Sequence, residues 1–265
     1  MIAVPSIPGK VFITGAGPGD PGLLTLKAKA VIESADVILY DNLVHPDILH
    51  WCRKGAKKIF VGKLPYCSAI TQEMIHQWML DHASEGKQVV RLKGGDPLIF
   101  GRGGEEAAFL KQHGIPFEII PGVTSSLAAG AYSGIPLTHR KDAQMLLFIT
   151  GHTQRAAKTG LGFDWQQLAA FNGTMVFYMG VKNLDQIASG LITAGKPEDT
   201  LVAVVENGSL LEQRVITGNL ATISAAAREA AISTPALIIV GEVVKYHQDL
   251  NWFADVQAAL KRETA

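Results

Sequence analysis

The sequence predicts an α/β protein made of two α/β domains, each on a mixed, mostly parallel sheet, with a ligand cleft between them. Three observations carry this expectation. Short apolar runs rich in β-branched residues alternate with segments of helical period along the chain, as strand–helix crossovers do in parallel sheets. Several runs break at glycines or end on a charge, among them Gly15, Asp41, Lys63 and the Gly94-Gly95 pair; open α/β sheets keep their ligand crevices at such strand ends. Pro121-Gly122 punctuates the 265-residue chain near its middle, giving domains 1–121 and 122–265, each within the usual ~100–200 residues.

The elements follow in order. Residues 11–14 read as a strand that runs into Gly15-Ala16-Gly17-Pro18-Gly19-Asp20-Pro21-Gly22, with a helical stretch over 23–34. Strands at 37–41 and 58–63 end on Asp41 and Lys63. Ile70, Met74 and Trp78, with Ile75 and Met79, recur at helical spacing, and Gly86 stops that helix. A fourth strand at 88–92, a helix at 105–113 closed by Gly114 and a fifth strand at 117–121 complete the first half. Small residues over 123–134 pack as a tight helix after Pro121-Gly122. The second half alternates strands at 145–150, 174–179 and 201–206 with helices at 165–171 and 184–194. After the Asn207-Gly208 turn, 213–217 reads as an antiparallel partner, followed by an Ala-rich helix at 221–231, a last strand at 236–244 and a tail from 251 to 265 that is a surface helix or frays.

Composition narrows the function. Lys and Arg number 24 against 24 Asp and Glu, so no net field draws the protein to nucleic acid or an anionic membrane, and an anionic ligand needs locally placed cations. Basic residues are scattered with little aromatic interleaving, which also argues against nucleic acid. Two cysteines, Cys52 and Cys67, form no CxxC and fit a reducing cytosol. The start lacks a basic-then-apolar signal pattern and no apolar run reaches ~18 residues; a soluble cytoplasmic protein is expected. GxSxG and GxxxxGK[ST] are absent, which leaves hydrolase and P-loop readings without a starting residue. His45, His50 and Cys52 lie close together but match no zinc spacing, so they read as packing groups and no metal is expected.

The densest signal runs over 89–106. An apolar strand breaks at Gly94-Gly95, where missing Cβ atoms let a ligand or another backbone come close, and Asp96 and Arg102 follow at once. Gly15-x-Gly17-x-x-Asp20 invites a dinucleotide fingerprint, but Asp20 replaces the third glycine and Pro18 removes an N–H that a pyrophosphate loop should donate. A loop that packs against a ligand without binding phosphate fits better. Asp41, Lys63, Asp96, Arg102, Thr124-Ser125 and His139-Arg140 remain as polar groups at strand ends or turns. Together they describe an enzyme with a glycine-lined cleft that holds a polar ligand largely through backbone.

Several long stretches then match a known family: Val11 to Thr25, Leu39 to Val44, Val90 to Glu106, Ala131 to Arg140, Val176 to Gly180, Val205 to Gly208 and Pro235 to Gly241. In this order they resemble the uroporphyrinogen-III C-methyltransferases of the S-adenosyl-L-methionine (SAM)-dependent tetrapyrrole methylase family. The resemblance implies transfer of two methyl groups to C2 and C7 of uroporphyrinogen III, giving precorrin-2 on the branch to sirohaem, cobalamin and haem d1. It also implies a homodimer, with S-adenosyl-L-homocysteine as co-product. By position, Pro18, Gly94, Gly95, Asp96, Ile99, Thr124, Ser125, Met179 and Gly208 match the family's SAM contacts. Asp41 and Lys63 match its proposed proton acceptor and donor, and Arg102 an arginine proposed to act on the tetrapyrrole. The octacarboxylate substrate calls for a local positive wall from Arg102, Arg140, Lys63 and Arg91 or Lys93; taken alone, Arg91 and Lys93 read as ordinary strand-end charges.

Two departures stand out. Where the family usually has an arginine, a glycine and a histidine after Gly62-Lys63, this chain has Leu64-Pro65-Tyr66-Cys67-Ser68. No dehydrogenase and ferrochelatase module precedes Gly9, which resembles the stand-alone methyltransferase and predicts no oxidation or metallation of precorrin-2. The alternatives are a methyltransferase for a later precorrin, an NAD-dependent oxidoreductase built on 15–22, and a catalytically dead binding protein.

Overall fold

The computed structural model describes residues 9–62, 70–151 and 161–263. The chain divides into two units, Met1–Ser125 and Ser126–Ala265. Each carries one five-stranded sheet.

In the first unit β1 (Val11–Gly15), β2 (Val37–Tyr40), β3 (Lys57–Phe60), β4 (Val89–Lys93) and β5 (Phe117–Ile120) form an all-parallel sheet in the order β3-β2-β4-β1-β5. The helices are α1 (Leu26–Ser34), α2 (Gln72–Ser84) and α3 (Gly103–Gln112). Thr25 and Thr71 cap α1 and α2, their hydroxyls accepting from the Ala28 and Met74 amides; each satisfies a donor that the first turn leaves without a carbonyl. Alternation along the strands sorts side chains to two faces. Val11, Ile13, Val37, Leu39 and Val89 pack with Ile75, Met79, Ala107 and Leu110 from α2 and α3. Ile38, Val90 and Leu92 pack with Ile32 of α1 and with Ile48. β4 is buried along its whole length, so Arg91 and Lys93, in register with Val89, point into the face that α2 and α3 cover.

β1 and β4 are neighbours, yet the chain leaves β1 toward β2 and leaves β4 across β1 toward β5. The crevice at their carboxyl ends is the topological switch point, where open α/β sheets bind ligands.

The second unit begins in α4 (Ser125–Tyr132) and adds β6 (Leu146–Thr150), α5 (Trp165–Ala170), β7 (Thr174–Tyr178), α6 (Leu184–Thr193), β8 (Leu201–Glu206), β9 (Arg214–Asn219), α7 (Ile223–Glu229), β10 (Ala236–Val240), α8 (His247–Leu250) and α9 (Trp252–Glu263). The sheet order is β6-β7-β10-β8-β9. The expected hairpin is β8 with β9, paired antiparallel. β6 and β7 pair parallel, whereas β10 lies antiparallel to both β7 and β8. The turn after β8 reverses the chain and α7 carries it over β8, so β10 enters beside β8 in the direction of β9. The last strand stops at Val240 and a short 3-10 helix, Glu242–Tyr246, takes over. Met175, Phe177, Val202, Val204, Ile238 and Val240 form this unit's core with Ile187 and Leu191 of α6. Among the described residues no helix is long and apolar enough to cross a membrane.

Candidate active site

In the first unit the loops after β1, β4 and β5 are laced together by backbone. Gly17 and Gly95 exchange hydrogen bonds, Gly17 N–H to Gly95 O at 3.2 Å and the reverse at 2.6 Å. A Cβ on Gly15 would lie 2.6 Å from Gly122 N, and one on Gly122 only 2.3 Å from Gly95 O. Such approaches leave no room for a side chain. Asp96 completes the lacing: Oδ1 accepts from the Leu98 amide at 2.8 Å and Oδ2 from the Gly122 amide at 3.0 Å. Its carboxylate thus ties the β4 loop to the β5 loop.

Gly95 has φ +69°, and a Cβ there would meet only Ser125 N at 3.7 Å and Thr124 Cα at 3.9 Å. This is a bare backbone cradle that any side chain would fill. It suits a ligand recognised through main-chain groups, with the Thr124 and Ser125 backbone at its edge. Ile99 and Pro18 are half-buried in the loops after β4 and β1.

Backbone strain marks strand ends in each unit. Phe100 (φ 54°) and Arg102 (φ 60°) follow β4, Met179 (φ 55°) follows β7, and Asn207 (φ 50°) and Ser209 (φ 71°) flank Gly208 after β8. Left-handed residues other than glycine cost on the order of 1–3 kcal/mol each and gather at ligand sites. In the second unit Tyr178 donates its hydroxyl to Ser126 Oγ at 2.7 Å, fixing the start of α4. Gly208 rests on Ala129 of the same helix, where a Cβ would sit 3.4 Å from Ala129 Cα. Gln213 ties the 207–213 turn to α4, accepting from the Ser209 amide and donating to Tyr132 O, both at 2.9 Å.

Asp41 ends β2. Oδ1 accepts from the Leu43 amide at 3.1 Å, and Oδ2 faces Arg91 Nη2 at 3.6 Å. A Cβ on Gly94 would strike Leu43 at 2.5 Å, so the glycine pair and the Asp41 turn pack on each other. Arg102 is exposed and its guanidinium donates twice to Glu105, at 3.0 and 2.7 Å. Arg140 is exposed. Lys63 and the 64–68 segment lie outside the described residues.

Three readings from sequence are sharpened, the first of them reversed. Arg91 and Lys93 are not strand-end charges on a surface wall: both are buried, and each donates to Glu106 Oε1 at 3.1 Å. Burial, and then the neighbouring Arg91, pushes the Lys93 ammonium below its ordinary range. Burial opposes ionisation of Glu106, but the Arg91 and Lys93 charges outweigh it and hold the carboxyl low. Glu106 itself was not among the residues expected from sequence; an acid one turn into a helix packed on β4 is the signal that pairs it with Arg91. Secondly, the 15–22 loop leads into a 3-10 turn capped by Asp20, whose Oδ1 accepts from Gly22 N at 2.7 Å, and α1 starts only at Leu26. No helix N-terminus meets the glycines, as a pyrophosphate site requires. Thirdly, His45 caps the 3-10 helix Pro46–Trp51 by accepting from the Asp47 amide, a structural use for one of the three residues weighed as a metal cluster.

The profile of the Tetrapyrrole (Corrin/Porphyrin) Methylases matches residues 10–224. The chain belongs to the tetrapyrrole methylase family. That membership replaces the oxidoreductase alternative with a methyltransferase. The methylase is 47% identical to the siroheme synthase of Pseudomonas fluorescens (strain SBW25) over 97% of its own length but 54% of the synthase, so it spans about half the length of the curated relatives it matches. Uroporphyrin-III C-methyltransferase of Thermus thermophilus, solved with S-adenosylhomocysteine, is 41% identical, with 89% of this chain and 99% of that chain covered and a TM-score of 0.75. A cobalt precorrin-4 methyltransferase shares 30% identity, with coverages of 89% and 95% and a TM-score of 0.79.

Proposed function

We propose that this methylase is a uroporphyrinogen-III C-methyltransferase, which methylates C2 and C7 of uroporphyrinogen III to give precorrin-2 for sirohaem, cobalamin or haem d1. The observation that carries the reading is the identity to the Thermus thermophilus enzyme, 41% against 30% for the precorrin-4 methyltransferase. The TM-scores run the other way, 0.75 against 0.79. Fold is shared across substrates while side chains choose among them, so identity is the better guide.

SAM is the methyl donor, and when bound it supplies an electrophilic methyl on a sulfonium. The backbone cradle of the first unit at Gly94, Gly95, Thr124 and Ser125 contacts it, and the family resemblance adds Met179 and Gly208 as further SAM contacts. A pyrrole carbon is itself an enamine-like nucleophile, so the chain must supply alignment and a proton acceptor. Asp41 takes that proton, with Lys63 as the donor partner. Arg102 and Arg140, both exposed, receive substrate carboxylates through charge-assisted hydrogen bonds. The enzyme works in the cytoplasm as a homodimer; exposed Leu127, Leu250 and Trp252 line an apolar groove of the second unit of the kind a protein partner covers.

Mass analysis of the product from uroporphyrinogen III and SAM tests the reading. A doubly methylated tetrapyrrole is expected. Methylation of a later precorrin with none of uroporphyrinogen III would move the assignment to the precorrin methyltransferases.

A further inference from the structure

We infer that Arg91 is the positioning residue for Asp41, and that buried Glu106 in turn positions Arg91. The inference rests on the reading of Asp41 as proton acceptor and adds how that carboxylate is aimed.

The guanidinium is hydrogen-bonded at Nε and Nη1 and paired by charge at Nη2. Nε donates to Glu106 Oε1 at 3.1 Å, Nη1 faces Leu92 O at 2.9 Å and Leu39 O at 3.5 Å, and Nη2 lies 3.6 Å from Asp41 Oδ2. Leu39 stands opposite Arg91 in the β2–β4 register, so the arginine bridges the two strands at their carboxyl ends. Glu106 Oε1 is also held by Lys93 Nζ at 3.1 Å and Gln72 Nε2 at 3.0 Å. Side chains of Arg91, Lys93 and Glu106 are at most 6% exposed, and that of Asp41 is 20% exposed.

Stability alone gives little reason for such a cluster, since well-packed apolar residues commonly match or outdo a buried ion network. Its charges give another reason. Two cations face one buried carboxylate, and the surplus positive charge is turned toward Asp41, the member of the group nearest solvent. Asp41 is therefore held by the Leu43 amide on Oδ1 and faced by the Arg91 charge at 3.6 Å on Oδ2. A rigid fork suits this better than lysine, because it keeps one nitrogen beside Asp41 while the others bind Glu106 and the strand carbonyls.

The test compares Arg91→Lys on the native and Asp41→Asn backgrounds, with S-adenosylhomocysteine binding measured by calorimetry and turnover measured with uroporphyrinogen III. Lysine keeps the charge and loses the fork. On the native background kcat should fall by roughly 10- to 100-fold, the scale of a misplaced catalytic group, while Kd for S-adenosylhomocysteine and KM for SAM stay within about twofold. On the Asp41→Asn background the same change should leave the residual kcat nearly unaltered, because coupled residues are non-additive. An equal loss on both backgrounds, or no loss on the native one, overturns the inference while leaving Asp41 in place. Full turnover by Asp41→Asn alone removes the reading beneath it, and the inference with it. If Arg91→Lys does not fold, Glu106→Gln, which keeps the shape and removes the charge that holds Arg91, is read the same way.

Discussion

At the scale of single residues, the carboxylate of Asp96 works on backbone. It accepts from the Leu98 and Gly122 amides, so Asp96→Ala should loosen the β4 and β5 loops together and weaken S-adenosylhomocysteine binding by about tenfold, as loss of a charge-assisted bond worth ~1.5–3 kcal/mol allows. Calorimetry checks this. Arg102→Ala should do the reverse, lowering kcat with S-adenosylhomocysteine affinity kept; unchanged turnover would make Arg102 a surface partner of Glu105 and no more. The tight loop at Gly94, Gly95 and Asp96 is legible in the sequence because a double glycine followed by an acid at a strand end marks a turn that backbone crosses closely. Arg91 and Lys93 were misread because a charge on a strand gives no sign of its burial. Only the face shared with α2 and α3, where Gln72 and Glu106 wait, shows where they point.

At the scale of elements, the strands and helices of the first unit follow the apolar pattern closely, within a few residues at their ends. The order β3-β2-β4-β1-β5 does not, because pairing partners are set by crossovers and not by local sequence. The insertion of β10 between β7 and β8 was hidden for the same reason. The glycine cradle yields a paired prediction. Gly122→Ala puts a methyl 2.3 Å from Gly95 O and should destabilise by ~1–3 kcal/mol, as overpacking does, and weaken S-adenosylhomocysteine binding. Gly104→Ala in the first turn of α3 meets nothing within 4 Å and should stabilise by ~0.5–1 kcal/mol; denaturant unfolding measures both. Glu118 on β5 pairs with Lys10 at 2.5 Å and with Lys27 of α1, and those hydrogen bonds pull its carboxyl down to about 2. A depressed carboxylate stabilises above its unfolded value of ~4.3 and loses that contribution as pH falls through the folded value. The Tm gap between native protein and Glu118→Gln should be constant above pH ~5 and close toward pH ~2.

At the scale of the molecule, a chain of zero net charge would have to hold the proposed octacarboxylate substrate with placed cations. With Arg91 and Lys93 committed to Glu106, that task falls on exposed arginines such as Arg102 and Arg140. The methylase family was legible because its motifs span nearly the whole chain in order; the choice of tetrapyrrole rests on side chains that fold similarity does not rank. The most direct test counts S-adenosylhomocysteine released per uroporphyrinogen III consumed. Two equivalents, with precorrin-2 as the end product, is the predicted result. No S-adenosylhomocysteine release from a preparation that binds this ligand and carries the native sequence would contradict the assignment.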